Sequence, residues 1–444
     1  MKTFLKRCVI LFALLLCVVL ISNAVLIVVT GSWLETEIAK VQAADQPVYM
    51  IDFKATPVPP AENAAIYLRR ATLDLEAVDK ELNQVYANPD FLSTPLSPAD
   101  VAAVEKTLQA YPHVLTRIDE MLACTKFNAE LDFSQGPALL LPHVNTLRSV
   151  ARLQAVRAWM LHQQGKPDEA VRQALSIFRL GQFLDNEPLL ISFLVATACR
   201  NMALHTVHGM MQQGELPPAV RDEVDEALKR CDSLDSFQQA LIFERAFGNQ
   251  CYEMIRTNKL TLAEVTGSGS GLEHVGSWWV MRAYLNDDQA HYLEIMNQLI
   301  AVADKDPQTF DQVGQQIENA AQQKSVRFAL SSMLLPSLMK SRQAASRVQA
   351  LSRSLLVLNA IQRRAQAGED VSQLRLEDIK LPDPYTTDPF NNLPLRLKKT
   401  ADGWVVYSVG TNLKDDGGEL EPSKSHDIGW APIPGKKVEQ KEKE

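Results

Sequence analysis

From Cys8 to Thr30 the chain is apolar and carries no charge, reading CVILFALLLCVVLISNAVLIVVT. At ~1.5 Å per residue this run makes a helix of roughly 34 Å, enough to cross a hydrocarbon layer of ~30 Å. Lys2, Lys6 and Arg7 precede it, and Glu35 and Glu37 follow. The excess of positive charge therefore places residues 1–7 in the cytoplasm and the rest of the chain outside. A cleaved signal peptide is the competing reading, with Val41-Gln42-Ala43 as its cleavage site. The run is longer than the ~7–15 apolar residues of a signal core, which favours a retained signal anchor in contact with membrane lipid through residues 8–30. Cys17 follows Leu14-Leu15-Leu16 and so lacks the small residue expected before a lipid-modified cysteine.

Residues 31–60 read as a linker. Its Pro-bearing part, Gln46 to Glu62, reads as extended and loosely packed, because Pro47, Pro57, Pro59 and Pro60 each fix φ and remove a donor. Helical periodicity starts at Ala61 and defines a helical domain over 61–335. Ser97 with Asp100 three residues on predicts an N-cap for a helix through Leu108, and Gly136-Pro137 breaks the pattern between Asp132 and Pro142. Beyond it, Val144, Leu147, Ala151, Ala155 and Ala158 fall on one side of a helix, with Asn145, Arg148, Ser149 and Arg152 on another. That spacing predicts an amphipathic helix packing by one face. Gly165-Lys166-Pro167-Asp168 then predicts a tight turn and a return helix over Glu169–Leu184. The turn resembles those of tetratricopeptide repeats, but no second copy follows about 34 residues later, as a repeat array requires.

Further helices are predicted over 189–213, 218–257 and 277–304, with TGSGSG at 266–271 as a plain loop between the last two. After Pro336 a long helix is predicted over about Leu338–Ala367, with an apolar seam of Val348, Leu351, Leu355 and Leu358 and with Gly368 at its end. Arg342, Arg347, Arg353, Arg363 and Arg364 flank the seam and read as a solvated face. Two strands, Leu393–Lys399 and Gly403–Val409, follow around Ala401-Asp402-Gly403. A lone hairpin is marginal in water, so the helix is expected to cover one face of it, through Leu395, Leu397, Val405 and Tyr407 or their alternates. The predicted class is thus mainly α: a multi-helix bundle with an N-terminal transmembrane helix and a C-terminal long helix plus small antiparallel β-sheet over 336–434. Residues 435–444, of mixed charge, read as a disordered tail.

Composition changes this picture little. A hydrophobic content of 46% with 22% charged residues suits a globular chain with a core. The net charge of −8 argues against a nucleic-acid surface, which needs clustered Lys and Arg. Cys124, Cys199, Cys231 and Cys251 show no CxxC spacing and read as buried thiols, with three disulfide pairings open in an oxidising compartment. His205 and His208 stand at i, i+3 without HExxH and read as structural or surface residues. There is no G-x-S-x-G elbow, and no Ser/His/Asp or Cys/His set can be assembled, so no catalytic residue is assigned.

The stretches DPFNNLPLRL, DGWVVYSVG, KDDGG and the closing Asp427-Ile428 resemble the C-terminal part of the major pseudopilin of type II secretion systems. The resemblance covers about the last quarter of the chain and implies a long helix, a small sheet and a calcium-binding loop. Calcium takes about six to eight oxygen ligands. The candidates are Asn412, Asp415, Asp416 and Asp427, with carbonyls near Val409 to Leu413; the plainer reading is a solvated turn. Asn412 stands where an acidic residue would bind more strongly, and Lys424 intrudes before Asp427. Lys6-Arg7-Cys8-Val9 lacks the Gly-terminated leader and early Glu of a pseudopilin, so the shared part is a module. The wider pattern, including PPAENAAIYL and LDFSQGPALLLPH, is similar to families of exported proteins in planctomycete-type bacteria, to which no activity attaches. Together these features lead to a non-catalytic envelope or secretion protein that assembles with protein partners. The alternatives are an exported hydrolase built on dispersed carboxylates and a helical peptide-binding module with a groove across 144–213.

Overall fold

The apolar N-terminal run opens a helix, α1 (Lys2–Ala43), that passes well beyond Thr30. The computed structural model describes residues 2–54, 56–231, 235–261, 263–264, 279–322, 328–421 and 423–433. Over 9–29 the side chains of α1 are almost all exposed, whereas Thr30, Leu34 and Val41 are buried. That spacing of i, i+4 and i+11 forms a stripe along α11 (Arg282–Ala301), with Leu34 and Ile38 joining an apolar core there. The first part of the expected linker is therefore helix.

The stretch that follows, Val48 to Phe53, is pinned as well. Met50, 1% exposed, packs with Phe133, Leu189 and Phe243, and the Phe53 ring meets Phe243 edge-on at 4.8 Å between centroids. Asn249 Nδ2 donates to the Val48 carbonyl at 3.0 Å, and the Asp52 carboxylate accepts from the amides of Val48 and Tyr49. Proline removes donors, but the carbonyls stay available as acceptors and Met50 and Phe53 still gain by leaving water. The expectation of loose packing is thereby overturned for residues 46–53, whereas Pro57, Pro59 and Pro60 beyond them are exposed.

The body comprises α2 (Ala64–Glu81), α3 (Asn83–Ala87), α4 (Pro98–Ala110), α5 (Val114–Ala123), α6 (Pro142–Gln163), α7 (Pro167–Leu184), α8 (Leu190–Gln213), α9 (Pro218–Arg230), α10 (Asp235–Arg256), α11 and α12 (Pro307–Gln322). Caps set the starts. Asn63 Oδ1 accepts from the Ala65 amide, so α2 begins after Asn63 rather than at Ala61. Ser97 Oγ accepts from the Asp100 amide at 3.1 Å, as its spacing predicts. Gly165, at φ 76°, turns α6 into α7. The predicted one-faced helix is α6, and the stripe from Val144 to Ala158 is indeed buried. Val150, Val156 and Trp159 on its other sides are buried too, because α2, α7 and α8 all pack against it. The single helix expected over 218–257 is two, α9 and α10. The 266–271 loop, the start at Ser277 and the 435–444 tail lie outside the described residues. α8 is apolar enough to cross a membrane, yet 61% of its apolar window is buried, which makes it a core helix. Cys124 and Cys199 are buried thiols.

α13 (Ala329–Gln366) starts earlier than predicted and contains Pro336, so the division placed at 336 falls inside a helix. Its N-terminal half sends Leu338 and Ala345 into the core shared with α10–α12. Its C-terminal half sends Val348, Leu351, Leu355 and Leu358 into a second core that runs from α2 to the C-terminal sheet. Arg342 departs from the expected solvated face. It is 1% exposed, donating from Nη2 to the Lys305 carbonyl and from Nη1 to Ser346 Oγ, beside the Phe237 ring.

Three antiparallel strands in the order β1-β2-β3 close the fold: β1 (Arg396–Thr400), β2 (Gly403–Ser408) and β3 (Ile428–Trp430). The turn at Ala401-Asp402 sets the register Leu397↔Val406 and Lys399↔Trp404. Leu395 and Leu397 therefore share a face with Trp404 and Val406, not with Val405 and Tyr407, and it is the former face that joins the core with α13. Met50→Ala is expected to lower stability by about 2–5 kcal/mol, read as a shifted urea midpoint for the full chain in detergent. A shift near zero would return the segment to a loose linker.

Candidate functional site

The acidic loop, between β2 and β3, folds back over the outer face of the sheet. Tyr407 Oη donates to Asp415 Oδ1 at 2.9 Å, and Lys398 Nζ donates to the Gly417 carbonyl at 2.7 Å. Each of the four candidate ligands is used inside the loop. Asp415 Oδ1 also accepts from the Gly417 amide; Asp416 Oδ2 accepts from the His426 amide and from Asn412 Nδ2; Asp427 accepts from the amides of Asp416 and Gly418, one at each oxygen. Hydrogen bonds from the loop hold the Asp416 carboxyl below its usual range, while burial pushes that of Asp427 up. Amide protons thus meet one oxygen of Asp415, one of Asp416 and both of Asp427. Among the described residues no group of three or more His, Cys, Asp or Glu is placed to hold a metal ion. As arranged, Asn412, Asp415, Asp416 and Asp427 do not fit a calcium cage; they staple the loop.

One carboxylate that fixes the module carried no role in the sequence. Asp388, 1% exposed, accepts from the Phe390 amide at 2.8 Å and Ser408 Oγ at 2.7 Å on one oxygen, and from the Val409 amide at 2.9 Å on the other. It ties the Asp-Pro-Phe turn to the end of β2. Its signal was the Asp-to-i+2 amide bond that Asp-Pro-Phe favours; the long-range partners Ser408 and Val409 had none.

His205 and His208 come from α8 to Trp430 of β3. The His208 ring stacks on the indole at 4.4 Å and His205 meets it edge-on at 4.9 Å. Trp430 Nε1 donates to the Leu351 carbonyl of α13 at 2.7 Å, and His208 Nε2 donates to the Ala431 carbonyl at 3.1 Å. The pair is a structural clamp, with no metal geometry.

The cleft best furnished for chemistry, about 540 Å³, lies where the linker meets the α7–α8 connection. Phe53, Phe127 and Phe133 wall it, with Asp185 and Glu187 at one end. Glu187 Oε2 faces His143 Nε2 at 2.9 Å and accepts from Ser192 Oγ at 2.7 Å; Arg200 pairs with Asp185. Glu187 Oε1 and Asp185 Oδ1 are buried with no donor among the described residues. The composition is that of a hydrolytic triad but the wiring is not. The serine hydroxyl donates to the carboxylate rather than to the histidine, and Ser192 is fully buried. Sequence reading passed over these residues because their partners lie 15 to 44 positions away, apart from Ser192.

Burial pushes the His208 imidazole down to about 4, and burial together with Arg347 lowers His205. The unfolded ring takes up a proton below ~6.5, whereas the folded one resists until about 4, so stability falls as pH drops through that window. The expected loss is about 3 kcal/mol for this ring, with no effect at pH 7 and above. Urea midpoints across the window would show it, and His208→Gln should flatten the slope. Millimolar calcium is expected to leave the melting temperature of the full chain unchanged; a rise of several degrees would return the acidic loop to cation binding.

No protein-family model, curated protein or solved structure matches this chain.

Proposed function

We propose that the chain is a single-pass membrane-anchored protein whose body stands outside the cytoplasm and acts by holding protein partners of the cell envelope rather than by catalysis. One observation carries the reading: α1 leaves its 9–29 side chains almost wholly exposed while its next turns are locked into the body. Exposed apolar surface on that scale is stable only in lipid, and Lys6 and Arg7 on one side of it, with Glu35 and Glu37 on the other, favour export of the body. Because the anchor and body share one continuous helix, the body is held at a fixed height and orientation, a geometry suited to assembly at a membrane.

The long α13 followed by an antiparallel sheet and a loop closed at Asp427-Ile428 is in keeping with the pseudopilin resemblance, and so with a role near a secretion assembly. A hydrolase gains little support: Ser192 is sealed from solvent, Asp185 pairs with Arg200, and Glu187 is hydrogen-bonded to His143 and Ser192.

Alkaline carbonate should leave the protein in the membrane pellet. A cysteine placed on the exposed face of α4, Glu105→Cys, should react with a membrane-impermeant maleimide applied from the extracytoplasmic side. Release by carbonate would overturn the anchor, and labelling only after the membrane is broken would overturn the orientation. Gentle crosslinking in native membranes should give a larger adduct; a chain that runs alone would remove the partner reading.

A further inference from the structure

We propose that the body itself enters the lipid interface: the turn Trp279–Met281 and the start of α11 form a second membrane contact beside α1. The inference rests on the reading of α1 as a membrane span, and it follows from where the body grips that helix. The stripe of α1 facing α11 begins inside the apolar run. Asn23 Nδ2 lies 3.5 Å from the Trp279 carbonyl, and Asn286 Nδ2 lies 3.5 Å from the Ile27 carbonyl. Thr30 and Leu34 continue the stripe at the next turns.

Lengths then decide the depth. Residues 9–22, the part of the run free of the body, make only about 21 Å of helix at ~1.5 Å per residue, short of the ~30 Å hydrocarbon layer. Starting from Cys8, a helix normal to the membrane needs about 20 residues to cross and so emerges near Ile27. Trp279, level with Asn23, then lies about 6 Å inside the boundary. Tilt lengthens the path through lipid and sinks the turn further. Raising the body clear of the lipid would draw Arg7 and Lys6 into the hydrocarbon, which charged side chains resist.

The residues at that depth suit the place. Trp279 is 41% exposed and Val280 50%, two apolar side chains only half covered, beside the point at which the body meets Asn23 of α1. Tryptophan is the side chain most at home at the lipid–water boundary, where its ring meets the acyl region and its N–H meets water. Arg282, exposed one turn on, is placed to meet lipid phosphates. The occupant that fits this surface is the outer leaflet of the same bilayer that α1 crosses.

The test uses the full chain in lipid nanodiscs, with Cys8, Cys17 and the half-exposed Cys251 replaced by Ala and a single fluorescent label at one of three introduced cysteines. Val280→Cys probes the turn, Leu15→Cys marks the span and Glu105→Cys marks water. With lipids spin-labelled near the headgroup, the label at position 280 should be quenched several-fold more than the label at 105, while the label at 15 should respond best to spin labels deep in the acyl chains. If position 15 is quenched and position 280 behaves like 105, the second contact is overturned and the span stands. If neither is quenched, the span reading fails and this inference with it.

Discussion

A helix buried along most of its length carries polar residues at low cost where they find partners inside the protein, and α13 imposes that demand on the elements around it. Ser352 donates to the Leu228 carbonyl of α9, and Asn359 joins Arg221 and Asp225 of the same helix. Arg342 reaches the Lys305 carbonyl ahead of α12, and Arg353 the Thr387 carbonyl in the approach to the sheet. The apolar seam between these groups then glues both cores to one rod. Other helices take their places from it: α9, α12 and the sheet each meet α13 through an apolar patch and a specific hydrogen bond or a close polar neighbour.

The C-terminal sheet shows how a marginal element is made firm. Three short strands bury one face on α13, where Trp430 is gripped by two histidines of α8 and donates to a carbonyl of α13. The acidic loop covers the other face, using its carboxylates on its own amides, and Asp388 sews the entry of the sheet to the end of β2. Acidic residues concentrated in one loop are here the hydrogen-bond acceptors of a glycine-rich backbone that has few other partners.

The same economy joins the apolar N-terminal helix to the body. α1 continues without a break from its exposed apolar run into the stripe that packs on α11. On the proposed reading of α1 as a membrane span, such an exit fixes how far the body stands from the bilayer, which a flexible connector would leave free. The cleft near Glu187 is lined by Phe53, Phe127 and Phe133 together with Asp185 and Glu187, but the serine and histidine beside it are wired for stability.

The sequence by itself determined the features that depend on local chemistry. The apolar N-terminal helix, the Ser97 cap, the hairpin at Gly165, the Gly368 terminus and the two hairpin strands were all legible, because each is written in a few neighbouring residues. Only the tertiary structure decided the rest. That α6 buries more than the predicted face, that Arg342 is internal, that the linker is pinned through Met50 and that β3 completes the sheet depend on what happens to lie opposite. The same holds for the candidate sites. His205 and His208 could be picked out by spacing, but that they clamp Trp430, more than 200 residues away in the chain, was invisible. The acidic loop could be picked out by composition, but the direction of its amide protons, which turns ligands into staples, is a property of the folded backbone alone.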